Sequence, residues 1–449
     1  MKLAVVGGSG VRSPLMVGAM AKRAVSLGLS EVAIYDIDPG KVAVFVPLMR
    51  LMLKKLSAPF TVTACTRPEE ALEGASYLIT TIRPGFEQAR VYDEDIPLSL
   101  GVVGQETTGP GGLAMACRSV PAILQYAHTF FRYNPKGWII NFTNPAGLVA
   151  QSLFDAGFDR VVGICDSANN GAIFAADYFH RDFREFSTRV WGLNHLSYTD
   201  YIGLDGENVL PRLLADDGFL TKAQPYYRRE EVRALGCYLN EYLYYFYHTA
   251  QAVAGMQAEG ETRGRKIMRM NRELLAALTS LVTRGDLQGA LDHYFAYNRE
   301  RTGSYMSYAR EDEGHRYLPK QEEEGYAGVA LDLVEIFEGR APARDMAVSV
   351  PNGGALPFLA PGDVAEMSCL VSREGLTPRD MPEVPAGPKE LITRVKEYER
   401  LTVAAIRAKR FATAVDALAV HPLVPDRATA QAIMQQYQTA HAPFFEGWM

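Results

Sequence analysis

Short apolar runs alternate with amphipathic stretches through the first part of the chain. Residues 3–6, 31–35, 61–66, 77–82, 138–142 and 160–165 form runs of four to six residues, too few for a helix, and several are bounded by Gly, Pro, Ser or Asp. Such runs predict buried strands. Between them, helical patterns cover 14–28, 39–56 and 68–72. Ser13 suits an N-cap, Pro14 the first helical position and Gly28 the stop. Strand alternating with helix predicts a parallel sheet.

After residue 166 the pattern changes. Helices prevail, an early one over 172–179, interrupted by antiparallel strands around 190–204 with a hairpin turn at 203–208. Residues 326–337 read as an amphipathic helix, 349–363 as strand, turn, strand, 388–418 as helical and 429–438 as the last helix. No repeat or flexible linker separates the halves. The predicted fold class is α/β: a Rossmann-like, doubly wound parallel sheet over 1–166 joined to a mixed α+β domain over 167–449.

The turn after the first strand reads Gly7-Gly8-Ser9-Gly10 and leads into a helix. Backbone amides bared by glycine at the positive end of a helix make a seat for a pyrophosphate, although this spacing departs from the strict G-x-G-x-x-G fingerprint. The strand over 31–35 ends at Asp36, which is either a solvated strand-end acid or the acceptor for ribose hydroxyls. In the second case it favours NAD over NADP, because a 2'-phosphate would meet like charge. Arg83, Asn144 and Cys165 follow predicted strand ends, the edge where open α/β sheets bind ligands.

Charge and cysteine content narrow the classes. The 449 residues carry a formal charge of -6 with interspersed signs, which excludes the clustered Lys and Arg of a nucleic-acid footprint. The acidic run Gln321-Glu322-Glu323-Glu324 reads as a solvated face. Five dispersed cysteines read as reduced thiols, no run reaches the ~18 apolar residues of a membrane span, and the first strand is too short for a secretion signal. A cytoplasmic protein without a membrane partner is expected.

Cys165, beside Asp166, and His195, beside Asn194, lie on separate segments. Thiolate and neutral imidazole suit zinc, manganese or iron, and two protein ligands leave a cation open to water or substrate. The alternative is a buried thiol packed as a small hydrophobe and a hydrogen-bonded core histidine.

A further set of motifs runs in order: Gly7-Gly8-Ser9, Asp36, Ile82-Arg83-Pro84-Gly85, Gly104-Gln105-Glu106-Thr107, Asn144-Pro145-Ala146, Gly163-Ile164-Cys165-Asp166, Gly192-Leu193-Asn194-His195, Asn240-Glu241-Tyr242 and Thr262-Arg263. With this ordered set the chain resembles glycoside hydrolase family 4, the NAD- and divalent-metal-dependent glycosidases, most closely the 6-phospho-β-glucosidase members. Segments 299–305 and 326–337 resemble later parts of the family. The resemblance implies a first domain like that of lactate and malate dehydrogenases, a second domain for substrate, metal and oligomerisation, and a homodimer or homotetramer.

It also implies a chemistry outside the usual two-carboxylate scheme. NAD⁺ takes hydride from sugar carbon 3, a base removes the proton at carbon 2, the aglycone is eliminated, water adds and the hydride returns. By position, Cys165 and His195 match the ligands of Mn²⁺ or another divalent cation, and Tyr242 and Asp166 the catalytic side chains, Tyr242 as base. Gly7, Gly8, Ser9, Ser13, Asp36 and Arg83 match the NAD site, and Arg90, Asn144, Asn194 and Arg263 the sugar and its phosphate. Tyr242 sits in an aromatic cluster with Tyr238, Tyr244, Tyr245 and Tyr247 that could equally pack a core.

The loop Cys165-Asp166-Ser167-Ala168 departs from the Cys-Asp-Met-Pro, Cys-Asn-x-Pro and Cys-His-Ser patterns of the family's subgroups. The expected substrate is a phosphorylated glycoside. Alternatives are an unphosphorylated α-galactoside or uronide within the family, or an NAD-dependent 2-hydroxy acid dehydrogenase sharing the first domain.

Overall fold

The computed structural model describes residues 1–303, 306–310 and 325–449. The acidic run at 321–324 and the last two residues of the 299–305 segment lie outside the described residues.

Six short strands build the first layer: β1 (Lys2–Val6), β2 (Glu31–Tyr35), β3 (Thr61–Cys65), β4 (Tyr77–Thr80), β5 (Trp138–Asn141) and β6 (Val161–Gly163). All pair in parallel, in the order β3-β2-β1-β4-β5-β6. This is the doubly wound order, with its switch point between β1 and β4. Leu3, Ala4, Val5 and Val6 are all buried, which explains why β1 shows no alternation.

The first helix covers Ser13–Lys22, so Ser13 is its first residue and not its cap. The Ser13 amide donates to the Gly10 carbonyl at 3.0 Å, so the glycine turn itself starts the helix. A separate turn, Ala24–Leu27, follows, and Gly28 ends it at φ 59°.

A second sheet contains the hairpin of β7 (Ser187–Leu193) and β8 (Leu196–Leu204), with β9 (Glu207–Asn208) and β10 (Tyr238–Leu239) against β8. The chain then returns to the first layer. β11 (Arg344–Pro351), β12 (Val364–Ser372) and β13 (Gly375–Pro378) add antiparallel to the β6 edge, with Ser349 opposite Gly163. The resulting nine-stranded sheet draws on both sides of residue 166.

The expected helix over 388–418 is two helices, Ala386–Ala408 and Phe411–Val420. Lys409 separates them at φ 49°, and the Lys409 and Arg410 amides close the first helix on the Ile406 and Ala405 carbonyls. The last helix is Arg427–Ala440. Among the described residues no helix is long and apolar enough to cross a membrane.

These C-terminal helices support the loops of the parallel sheet. The Tyr398 hydroxyl donates to the Gly109 carbonyl at 2.8 Å, holding the end of the loop that contains Gln105, Glu106 and Thr107. Arg118 is buried, forks onto Asp93 and donates to the Pro84 carbonyl at 3.1 Å, while His441 meets the same Asp93 at 3.0 Å.

Candidate active site

At the switch point the chain approaches itself closely. A Cβ at Gly7 (φ 77°) would sit 2.5 Å from the Thr81 carbonyl oxygen, and one at Gly8 would sit 2.9 Å from the Ile34 side chain. Both positions therefore require glycine. Asp36 accepts from the Ser9 amide and from the Asp38 amide, each at 3.1 Å, so its carboxylate is fixed against the glycine turn. Ser9 is wholly buried, and its hydroxyl oxygen has no hydrogen-bond partner among the described residues. At Gly10 the nearest atoms to an added Cβ are 3.7 and 3.8 Å away, leaving room above the turn. A tight glycine turn with a fixed acid from the end of β2 held against it fits a dinucleotide.

Cys165 lies two residues past β6, and His195 occupies the β7–β8 turn at φ 64°. Their Sγ and Nε2 atoms are 3.5 Å apart. Bonds of ~2.3 Å to sulfur and ~2.1 Å to nitrogen span such a gap at a near-tetrahedral angle. His195 Nδ1 meets Thr107 Oγ1 at 2.9 Å, and that hydroxyl donates to Gln105 Oε1 at 2.9 Å. Nδ1 is then the donor, and the Nε2 lone pair faces the sulfur.

Burial pushes the His195 imidazolium down to about 4, so the ring is neutral at physiological pH. Burial, then the Asp166 and Glu366 carboxylates, push the Cys165 thiol well up. A divalent cation reverses that balance, since a coordinating thiol is deprotonated. Among the described residues no group of three or more His, Cys, Asp or Glu could hold a metal, so a cation at Cys165 and His195 would have only these two as such donors.

Tyr242 is half-buried on the 3-10 turn Glu241–Leu243, its ring stacked on His195 with centroids 3.8 Å apart. Asp166 places Oδ1 3.7 Å from the Cys165 sulfur. Asn194 donates to Glu366 Oε2 at 3.0 Å, and the Ser197 hydroxyl donates to Glu366 Oε1 at 2.9 Å. Glu366 comes from β12, and burial, opposed by these two donors, pushes its carboxyl up to about 7. The motifs did not point to Glu366. Its signal was a lone acid in a strand otherwise of apolar residues and two serines.

Asn144 is half-buried just past β5 and precedes a cis peptide bond to Pro145. Arg83 pairs with Glu106, which also forms an ion pair with Arg90 at 3.1 Å, and Arg90 donates to Glu94 at 2.8 Å. Against the cost of burial, Arg83 and Arg90 hold Glu106 down to about 2. Arg263 donates to the Arg301 carbonyl at 2.8 Å. Burial, then the charges of Arg12, Arg90 and Arg263, push Arg301 down to about 9. Arg301 thus lies within electrostatic reach of three other guanidiniums, and an anion beside it would relieve their repulsion. Sequence reasoning missed Arg12 and Arg301, whose neighbours give no local sign of convergence. Arg265, beside Arg263, is turned outward to Asp95.

One loop links these arginines to the Cys165 and His195 pair, since Glu106 pairs with Arg83 and Arg90 and its neighbour Thr107 meets His195. Glu106 acts electrostatically on His195, and Tyr242 on Arg90. The model described as "Family 4 glycosyl hydrolase" matches residues 2–173, and that of the family's C-terminal domain matches 190–424. The chain belongs to glycosyl hydrolase family 4.

Within the family it is 26% identical to a "Probable 6-phospho-beta-glucosidase" of Bacillus subtilis (strain 168), over 99% of this chain and 97% of the relative. It also resembles the 6-phospho-beta glucosidase of Thermotoga maritima solved with manganese, NAD⁺ and glucose-6-phosphate. That match has a TM-score of 0.83 at 25% identity and covers 99% of each chain. A lactate dehydrogenase from a Medee basin deep-sea metagenome library, 12% identical with a TM-score of 0.53 over 90% of this chain and 98% of its own, shares the fold alone.

Proposed function

We propose that this family 4 hydrolase is a 6-phospho-β-glucosidase, cleaving phosphorylated disaccharides or glycosides with NAD⁺ and a divalent cation such as Mn²⁺. The observation that carries the reading is the convergence of Arg12, Arg90, Arg263 and Arg301 beside the Cys165 and His195 pair. A dianionic phosphate next to a cation-bound sugar matches that distribution of charge.

Bound NAD⁺ supplies the acceptor for transient hydride removal at sugar carbon 3. A divalent cation supplies Lewis acidity toward the sugar hydroxyl oxygens. Gly7, Gly8, Ser9, Ser13, Asp36 and Arg83 hold the dinucleotide, and Cys165 and His195 hold the cation. Arg90, Asn144, Asn194 and Arg263 bind the sugar and its phosphate. Tyr242, its ring stacked on His195, takes the proton from carbon 2. Asp166 is the second proton-transfer group. Residues 1–166 serve NAD and also lend Arg90, Asn144, Cys165 and Asp166 to the site, while 167–449 supply the remaining substrate and metal residues and assembly into a homodimer or homotetramer. A cytoplasmic setting suits its five unpaired cysteines.

A panel of p-nitrophenyl α- and β-glucosides, each with and without a 6-phosphate, tests the reading in the presence of NAD⁺, Mn²⁺ and reductant. Release of nitrophenol from the 6-phospho-β substrate without accumulation of NADH is expected. Preference for an α or unphosphorylated substrate would replace it with another family 4 specificity. Steady NADH formation from hydroxy acids would replace it with a dehydrogenase.

A further inference from the structure

A chain of buried hydrogen bonds runs from the turn that bears Tyr242 to the sulfur of Cys165. Its centre is Asn240, which is buried and belongs to neither the metal pair nor the proposed base. Asn240 Oδ1 accepts from the Tyr242 amide at 3.1 Å, which turns its Nδ2 the other way. That nitrogen donates to Ser167 Oγ at 3.3 Å and to Ser197 Oγ at 3.1 Å. Both amide hydrogens are then used, and each serine oxygen receives one.

Each serine must direct its own hydroxyl hydrogen elsewhere. Ser197 donates to Glu366 Oε1 at 2.9 Å. Ser167 is buried and its remaining neighbour is Cys165 Sγ, at 3.1 Å. We propose that Ser167 is a positioning residue for the metal seat, its hydroxyl oriented by Asn240 so that it donates to the Cys165 sulfur when that sulfur is a thiolate.

The bond has two consequences. It fixes where the sulfur points, and it withdraws electron density from an otherwise poorly solvated anion. Because Asn240 also holds the Tyr242 amide, the ligand and the base are registered on one side chain. Of the subgroup patterns at this loop, Cys-His-Ser alone also fixes a serine two residues past the cysteine, and in this chain that serine follows Asp166 in place of histidine.

The proposal rests on Cys165 as a metal ligand, and the test separates the two. The full-length protein is loaded with Co²⁺ alone, and its thiolate-to-metal charge-transfer absorption is recorded with Mn²⁺ affinity. A hydrogen bond donated to sulfur stabilises the lone pair from which that transition starts. Ser167→Ala is therefore expected to move the band to longer wavelength and to weaken Mn²⁺ binding about tenfold. Ser167→Thr keeps the hydroxyl and returns the band. Asn240→Asp leaves Ser167 in place but turns its hydroxyl toward the new carboxylate, and gives the same displacement as the alanine variant. A band present in the unsubstituted protein and unmoved in both Ser167→Ala and Asn240→Asp overturns the proposal. Absence of the band in the unsubstituted protein overturns the metal seat itself, and the proposal with it.

Discussion

The rings of His195 and Tyr242 lie face to face, 3.8 Å between centroids and 11° from parallel. One surface thus joins the proposed metal ligand to the proposed base, and the two roles can be separated by choosing which part of the tyrosine to remove. Tyr242→Phe keeps the ring and loses only the hydroxyl. It is expected to bind Mn²⁺ normally while exchange of the carbon-2 proton with solvent slows about 100-fold or more, as for loss of a general base. Unchanged exchange, followed by deuterium incorporation, would remove Tyr242 from the mechanism.

Cys165→Ser and His195→Ala are each expected to abolish Mn²⁺-dependent turnover while NAD⁺ still binds. The glycine turn and Asp36 that form the dinucleotide cradle touch neither residue. Calorimetric titration with NAD⁺ beside an activity assay checks both halves of the expectation.

Arg301 contributes a guanidinium already crowded by Arg12, Arg90 and Arg263. Arg301→Met is expected to raise KM for a 6-phosphorylated substrate by about 10- to 100-fold, the worth of a charge-assisted hydrogen bond. Any residual turnover of the unphosphorylated analogue should be unaffected. Equal losses on both substrates would place Arg301 outside the phosphate pocket.

His421 is buried beneath Gly109, accepts from the Leu423 amide at 3.2 Å, and is pushed down to about 3 by burial and by the nearby Arg394. Between its unfolded value near ~6.5 and about 3 the unfolded chain binds a proton that the folded chain does not, so stability falls as pH falls through that window. Its contribution is at most ~1.4 kcal/mol per pH unit. His421→Gln removes that slope, and urea midpoints of both proteins from pH 6.5 toward 4 should converge in the acid. Parallel curves would refute the assignment.

How much of this was legible in the chain depended on range. β1 and β4 were readable because Leu3 to Val6 and Tyr77 to Ile79 form unbroken buried, largely apolar runs, and the turn at Gly7 because only glycine tolerates Thr81 at that distance. The break at Lys409 was hidden, since a left-handed lysine carries none of the signals of a glycine stop. The Thr262-Arg263 motif of the family resemblance located Arg263 but said nothing of Arg12 or Arg301, which meet it only through folding. Nor does local pattern tell that Ser349 pairs with Gly163, or that Glu366 reaches Asn194 from far along the chain.

That pairing governs when the protein can first become active. β6 has β5 on one side, and its other side is closed only by β11. A chain released before residue 344 would carry an open strand edge directly below Cys165, ready to pair with a neighbour, and would lack the carboxylate that holds Asn194. Residues 1–166 therefore do not close the parallel layer at β6 by themselves. During synthesis this catalytic edge stays unfinished until the late hairpin docks, so aggregation at β6 and absence of metal-dependent activity would share a single cause.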